Sequence, residues 1–329
     1  MDKVSFFHAD YRDGRVHIGG KAYPAGTFAT HLLNQYYKND TAARISVFKA
    51  NNLTVQRELE QGYINPSDFV KCNEEIQNIL KALPFLQPFS LLDISAERNR
   101  ISALFTIDNA DRIADYLCRQ AKVSEMNSGA ISLGVLPKEY DKQFFAETAL
   151  ILSEAEKTLT FYDAISEDML KAFEQLLEFT SRVDEAARFD EAHLLPIAME
   201  VFEQASFPVR TEYVSIRKTR NSKKLVTARR LYFESYYSFI ITDFFEGLHY
   251  GHYPKQCPIC KKYFLMQPAA RQKYCSGYAP FLLKGKPITC RKYGKNQPQG
   301  IGGRQSCYTL IQKSLFSNSQ RAKAWNHYS

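Results

Sequence analysis

Four cysteines define the chemistry most readily assigned to this chain. Cys257-Pro-Ile-Cys260, Tyr274-Cys275-Ser276 and Thr289-Cys290-Arg291 place thiols in the spacing C-x2-C-x14-C-x14-C. A C-x2-C pair is a short knuckle whose two sulfurs can converge on one side of a tight turn. Two further thiolates brought back by later segments complete a tetrahedral shell of the kind zinc prefers. Four unrelated reduced thiols would not explain why four of the seven cysteines fall between positions 257 and 290. With four thiolates no coordination position stays open, so the expected Zn2+ holds structure and does not activate water.

Around these ligands, Cys257-x-x-Cys260-x-x-Tyr263-Phe264, then Tyr274-Cys275-Ser276 and Thr289-Cys290-Arg291-x-x-Gly294, form a longer pattern. It resembles the C-terminal finger of an uncharacterised family of bacterial, mostly Firmicutes, proteins. It is more distantly similar to the CGNR-type zinc finger of bacterial transcription regulators. By position, the resemblance implies Cys257, Cys260, Cys275 and Cys290 as the ligands. The CGNR group keeps its last two cysteines close together, whereas here fourteen residues intervene and the signature position reads Cys290-Arg-Lys-Tyr293. The resemblance therefore carries the ligand set further than it carries a DNA-binding role.

The charge distribution points to a polyanion. Net charge is +8 overall, but residues 210–329 hold 22 Lys and Arg against 4 acids, while residues 1–209 are net acidic. After Glu246 there is no Asp or Glu at all. A thiolate-bound zinc carries about −2 and offsets only a small part of this excess. Nucleic acid is the commonest partner of such a surface, because bound cations release its counterions. Lys255, Lys261, Lys262, Arg271, Lys273, Arg291, Lys292 and Arg304 are the expected phosphate contacts, positioning the protein on a backbone without reading bases. DNA is the expected partner, with RNA possible. The alternative is an interaction adaptor whose basic part meets an acidic protein or the chain's own acidic half. A third class is a nucleic-acid-processing enzyme of unrecognised type.

Catalytic signatures are missing. No P-loop, G-x-S-x-G elbow, H-E-x-x-H or dinucleotide fingerprint occurs. A metal-dependent nuclease needs carboxylates, and the cysteine-bearing part has none. His249 and His252, with Cys307, could compose a second metal site, although histidines in such loops more often only hydrogen-bond. No window holds eighteen apolar residues, and Met1-Asp-Lys-Val-Ser-Phe-Phe-His8 lacks the features of a secretion signal. An odd cysteine count with four in zinc spacing suits a reducing, cytoplasmic setting.

These residues must be positioned by a fold expected to be mainly α with small β elements. The division expected is an acidic, mainly helical domain, residues 1–206, and a basic domain, residues 207–329, containing a small treble-clef-like zinc finger. Arg15–Ile18 and Lys21–Pro24 around Gly19-Gly20 read as a hairpin. Helices are expected from Thr27, Thr41, Pro66 and Asp108, and as two separate segments, Phe144–Phe161 and Ser166–Arg182, with Ser166 as an N-cap. Residues 123–138 read as a loop, and Cys72 and Cys118 as buried thiols. Val209–Arg217 alternates as a strand, and Leu225–Leu248 reads as one long apolar helix. Lys262–Leu265 is expected to pair with Gln272–Cys275 around Pro268–Arg271, with Phe264 beneath the metal. A last helix is expected from about Ser306. The 1–206 part would sense a ligand, oligomerise or recruit a partner, making the protein a regulator or accessory factor of a bacterium or mobile element.

Overall fold

The computed structural model describes residues 7–37, 41–81, 88–89, 93–130, 141–185, 191–202, 207–217, 222–267, 272–283 and 285–296. The chain forms two compact units, Met1–Lys255 with Leu265–Ala269, and Gln256–Phe264 with Ala270–Ser329.

The larger unit is built on a five-stranded antiparallel sheet. Its strands are β1 (Phe7–Arg12), β2 (Arg15–Ile18), β3 (Lys21–Pro24), β4 (Arg210–Arg217) and β5 (Leu225–Phe233), in the order β3-β2-β1-β5-β4. Two tight turns make the N-terminal meander. Asp13-Gly14 and Gly19-Gly20 all lie in the left-handed region, as the favoured two-residue hairpin turns require. The Gly19-Gly20 hairpin follows the sequence reading. The Asp13-Gly14 turn carries the same type of signal and adds a strand that reading left out.

This sheet corrects the expected fold class. The protein remains dominated by helix, but its β structure is a central sheet, not a set of small accessories. The largest single difference is Leu225–Leu248. Its density of apolar residues suggests a continuous helix, yet Leu225–Phe233 is the strand β5, lying between β1 and β4. Ala228, Leu231 and Phe233 are buried, and β-branched Val226 and Thr227 suit an extended backbone. Ser235 then accepts a hydrogen bond from the Ser238 N–H and starts a shorter helix.

The helices are α1 (Thr27–Tyr37), α2 (Thr41–Glu60), α3 (Pro66–Leu80), α4 (Ile94–Leu104), α5 (Ile107–Ala130), α6 (Lys142–Glu185), α7 (Glu191–Val201) and α8 (Tyr236–His249). The 44-residue α6 replaces the two helices read from sequence. No Gly or Pro interrupts it, and Ser166 is buried within it instead of capping a helix start. At 1.5 Å per residue it is about 66 Å long, and it packs against α1, α2, α4, α5, α7 and α8. The expected loop at 123–138 is helical as far as Ala130; its remainder lies outside the described residues. Cys72 is buried as expected, whereas Cys118 is exposed.

Two carboxylates, Asp243 buried and Asp168 half-buried, tie the elements of this unit together. Asp243 of α8 accepts from the N–H groups of Gly26, Phe28 and Ala29 at 3.0, 2.7 and 3.2 Å. It thereby caps α1 from 217 residues away. Asp168, inside α6, accepts from the Tyr237 N–H at 3.1 Å and caps α8 in the same manner. One turn beyond Asp243, Gly247 lies so close to Gly26 that a Cβ would stand 2.9 Å from its backbone. The aromatic side chains of Phe7, Phe28 and Phe233 gather around Phe239 at centroid distances of 5.1–5.4 Å. They fill the space between one sheet face and these helices. No described helix is long and apolar enough to cross a membrane.

The candidate metal centre

The smaller unit contributes its own miniature core, Cys257, Ile259, Cys275, Ile288, Cys290 and Tyr293, with Cys260, Phe264, Tyr274, Ala279 and Phe281 packed against it. Three local structures deliver the cysteines. The first is the knuckle. β6 (Tyr253–Gln256) leads into it and β7 (Tyr263–Met266) leaves it, and the two strands pair. Between them the Cys257 N–H donates to the Lys262 carbonyl and the Lys261 N–H to the Cys257 carbonyl, each at 2.9 Å. This tight closure places Lys261 at φ 61°, the left-handed conformation that favours glycine.

The second delivery is Cys275, ahead of the hairpin formed by β8 (Tyr278–Leu283) and β9 (Lys286–Thr289). The third is Cys290, which opens α9 (Cys290–Lys295). Thr289 caps that helix by accepting from the Lys292 N–H at 3.3 Å. The Cys290 N–H donates to the Gly277 carbonyl at 2.8 Å, tying the third cysteine's segment to the fourth. Gly294 lets α9 lie on Tyr274, since a Cβ there would meet the ring carbons at 2.3–2.5 Å. Phe281 and Tyr293 meet edge to face at 4.8 Å.

The expected pairing of Lys262–Leu265 with Gln272–Cys275 is not formed. β7 pairs with β6 instead, so the treble-clef-like arrangement read from sequence does not describe this unit. Period-two alternation marks a strand but carries no record of its partner. The expected packing of Phe264 against the cysteine cluster is present. The turn at Pro268–Arg271 and the helix from Ser306 lie outside the described residues.

All four ligand sulfurs lie within 4.8 Å of one another, with Cys260 Sγ and Cys275 Sγ 3.5 Å apart. Sulfurs held about 2.3 Å from a central ion stand about 3.8 Å from each other in a tetrahedron, so the cluster has the dimensions to close around one metal ion. Its electrostatics are those of a group of thiols that would need a cation to ionise together. The Cys260 thiol hydrogen-bonds to Cys257, and the Cys260, Cys275 and Ile259 N–H groups help hold Cys257 down at about 4 against its burial. The same bond to Cys257, and then burial, push the Cys260 thiol far up. Burial, followed by the Cys257 charge, pushes Cys290 up to about 12. Protein groups alone thus favour one thiolate here, and four together need a positive ion among them.

Of the expected phosphate contacts, Lys261, Lys262, Lys273, Arg291 and Lys292 are exposed in this unit, and Lys255 is half-buried on β6. Arg271 and Arg304 lie outside the described residues. Lys286 and Lys295 are exposed cations of the same unit that the sequence reading did not select. That reading also passed over the β8 strand, where Tyr278 and Leu282 are 68% and 64% exposed. Their apolar type in a strand flanked by turn residues was the available signal. The two histidines weighed as a second metal site instead make other contacts, as the favoured hydrogen-bonding reading has it. His252 Nδ1 is 3.2 Å from the Ala25 carbonyl, and His249 Nδ1 is 3.5 Å from Glu191; Cys307 lies outside the described residues.

Residues 204–315 match a family described as a family of unknown function, DUF6076. The matched stretch begins before β4 and includes β5, α8 and all four cysteines. No curated protein and no solved structure matches the chain.

Proposed function

We propose that the four-cysteine cluster holds a structural zinc ion and that the basic unit around it binds nucleic acid, DNA in the first place, in a regulator or accessory factor. The observation that carries this reading is the coincidence of a closed thiolate site with a one-signed surface. Between Gln256 and Asn296 there is no acidic residue, and Lys261, Lys262, Lys273, Lys286, Arg291, Lys292 and Lys295 are all exposed. Zinc fits the donors because four soft thiolates in a tetrahedron satisfy it without leaving an open position. Its contribution is to fix the knuckle, the β8–β9 hairpin and α9 in one geometry. These seven cations then act as phosphate contacts, and exposed Tyr278 offers a ring on which a base can stack. A bacterial or mobile-element setting follows from the resemblance to CGNR-type regulators, and a reducing compartment from the need to keep four thiolates unoxidised.

The test is fluorescence anisotropy of the metal-loaded protein with random-sequence DNA and RNA, duplex and single-stranded, across a salt series, with metal content measured by mass spectrometry. The expected result is one zinc per chain and binding that weakens steeply with salt. Lys261→Ala with Lys262→Ala should weaken binding to all sequences alike and flatten the salt slope. Absence of binding at low salt would sink the nucleic-acid reading and redirect it to an acidic protein partner. Cys275→Ser should lose the metal, and full retention there would overturn the ligand set.

A further inference from the structure

The hairpin between Cys275 and Cys290 has a surface that the metal centre does not use. Among the described strands, β8 and β9 pair only with each other. Phe281 and Ile288 turn inward and pack on the cysteine cluster. Tyr278, Pro280, Leu282 and Pro287, at the alternate positions, are exposed. Register places Leu282 directly opposite Pro287 and Leu283 directly opposite Lys286. Side chains opposed in this way start about 4.5–5.5 Å apart, so these four residues together form the end of one ribbon. Leu283 and Lys286 are exposed as well, and Gly285, at φ 76°, takes a left-handed position in the turn that joins the strands. The base of the ribbon is fixed. The Cys290 N–H donates to the Gly277 carbonyl at 2.8 Å, and the two cysteines flanking the hairpin belong to the candidate metal site.

The chemistry of this end decides what fits it. A further strand is hindered, because Pro280 in β8 and Pro287 in β9 each remove an N–H from the ribbon. A bilayer is a poor match, since the two leucines expose less hydrocarbon than a single myristoyl chain, which by itself anchors only marginally. Duplex DNA matches the charge. No acid occurs between Gln256 and Asn296, and α9, which continues directly from β9, carries exposed Arg291, Lys292 and Lys295. Proteins that bend DNA from the minor groove combine these features. An apolar side chain such as Leu or Pro enters between two base pairs, and cations hold the phosphates on either side.

We propose that the β8–β9 hairpin is a wedge for the minor groove of duplex DNA, with Leu282 and Leu283 separating a base step and kinking the duplex while Lys286 and the α9 cations hold flanking phosphates. This inference rests on the nucleic-acid reading above and deepens it, naming kinked duplex DNA as the ligand. The cost of unstacking is offset by the extra contacts that a bent duplex makes with the protein.

The test uses the full-length, zinc-loaded protein and an end-labelled duplex of about 30 base pairs with a central TA step, a step that kinks readily. Energy transfer between the ends is expected to rise on binding. A duplex with unpaired bases at its centre, already easy to kink, should bind at least about tenfold tighter than the fully paired one. Leu282→Ser with Leu283→Ser should abolish both the rise and the preference. Salt-dependent binding to the paired duplex, metal content and thermal midpoint should stay, since both leucines are exposed. Leu282→Met with Leu283→Met, which keeps an apolar wedge, should retain the bend. Wild-type binding that leaves the duplex straight would overturn the wedge while leaving the nucleic-acid reading standing, whereas no binding at low salt would overturn both. An unchanged bend in the serine variant would also overturn the wedge. Binding to phosphatidylserine-containing vesicles that is lost in the serine variant, with the DNA left straight, would overturn it in favour of a membrane surface.

Discussion

Replacing Asp243 by Ala removes the acceptor of three buried N–H groups at once, those of Gly26, Phe28 and Ala29. α8 and α1 are packed too closely at Gly247 and Gly26 for a side chain to fit between them, so water has little room to substitute. Each orphaned donor costs about 1–3 kcal/mol. Removal of a buried carboxylate that is itself desolvated offsets part of this, leaving an expected loss of about 3–5 kcal/mol. The pH dependence has a defined sign. Burial raises the Asp243 carboxyl to about 7, although the three N–H groups pull the other way. Its value in the unfolded chain is near 3.9. The native state therefore holds the proton more tightly than the unfolded state, and the stability arising from this group is full below about pH 4 and is lost as pH rises through about 7. Urea unfolding followed by far-ultraviolet circular dichroism at pH 5 and pH 8 measures both effects. Asp243→Ala should be much less stable than wild type. Asp243→Asn should show a smaller decline between the two pH values than wild type. A wild-type midpoint for Asp243→Ala would refute the capping role, and a gap between wild type and Asp243→Asn that does not change with pH would refute the titration argument.

Further outcomes follow from the smaller unit. Lys261→Gly should stabilise the knuckle by about 0.5–1 kcal/mol, because a left-handed backbone strains any L side chain more than glycine; chelator-challenge metal release should slow. Gly294→Ala should do the reverse by driving a methyl group into the Tyr274 ring, speeding metal release while leaving the α6–α8 helical signal unchanged. Cys290→Ser should lower metal affinity by orders of magnitude, since it removes one of four ligands while Thr289 still caps α9; retained stoichiometry at micromolar chelator would contradict the assignment.

Much of the candidate metal centre was legible because its information is local. Cysteine type fixes the donor, and a C-x2-C spacing fixes a knuckle irrespective of what surrounds it. The Thr289–Cys290 helix start and the apolar Phe264 also follow from short-range rules. Likewise, Gly19-Gly20 announced its hairpin and Pro66 the start of α3, where the structure adds Asn65 as the cap, accepting from the Ser67 N–H. Leu225–Phe233 was different. An apolar run can fill a helix or a central strand equally well, and its conformation was decided by β1 and β4 on either side. Ser166 had the type of an N-cap but became interior to α6, and the neighbouring Asp168 capped α8 instead.

The amino-acid sequence by itself determined the thiolate set, the one-signed charge of the segment after Glu246 and most helix starts, all of which depend on residue type and short spacing. The tertiary structure alone decided that Phe7–Arg12 would lie beside Leu225–Phe233 and that Asp243 would cap a helix 217 residues earlier. The reason is physical. A strand's partner and a buried carboxylate's donors are chosen by the burial and hydrogen-bond satisfaction of the whole unit, and no window of sequence contains both sides of that choice.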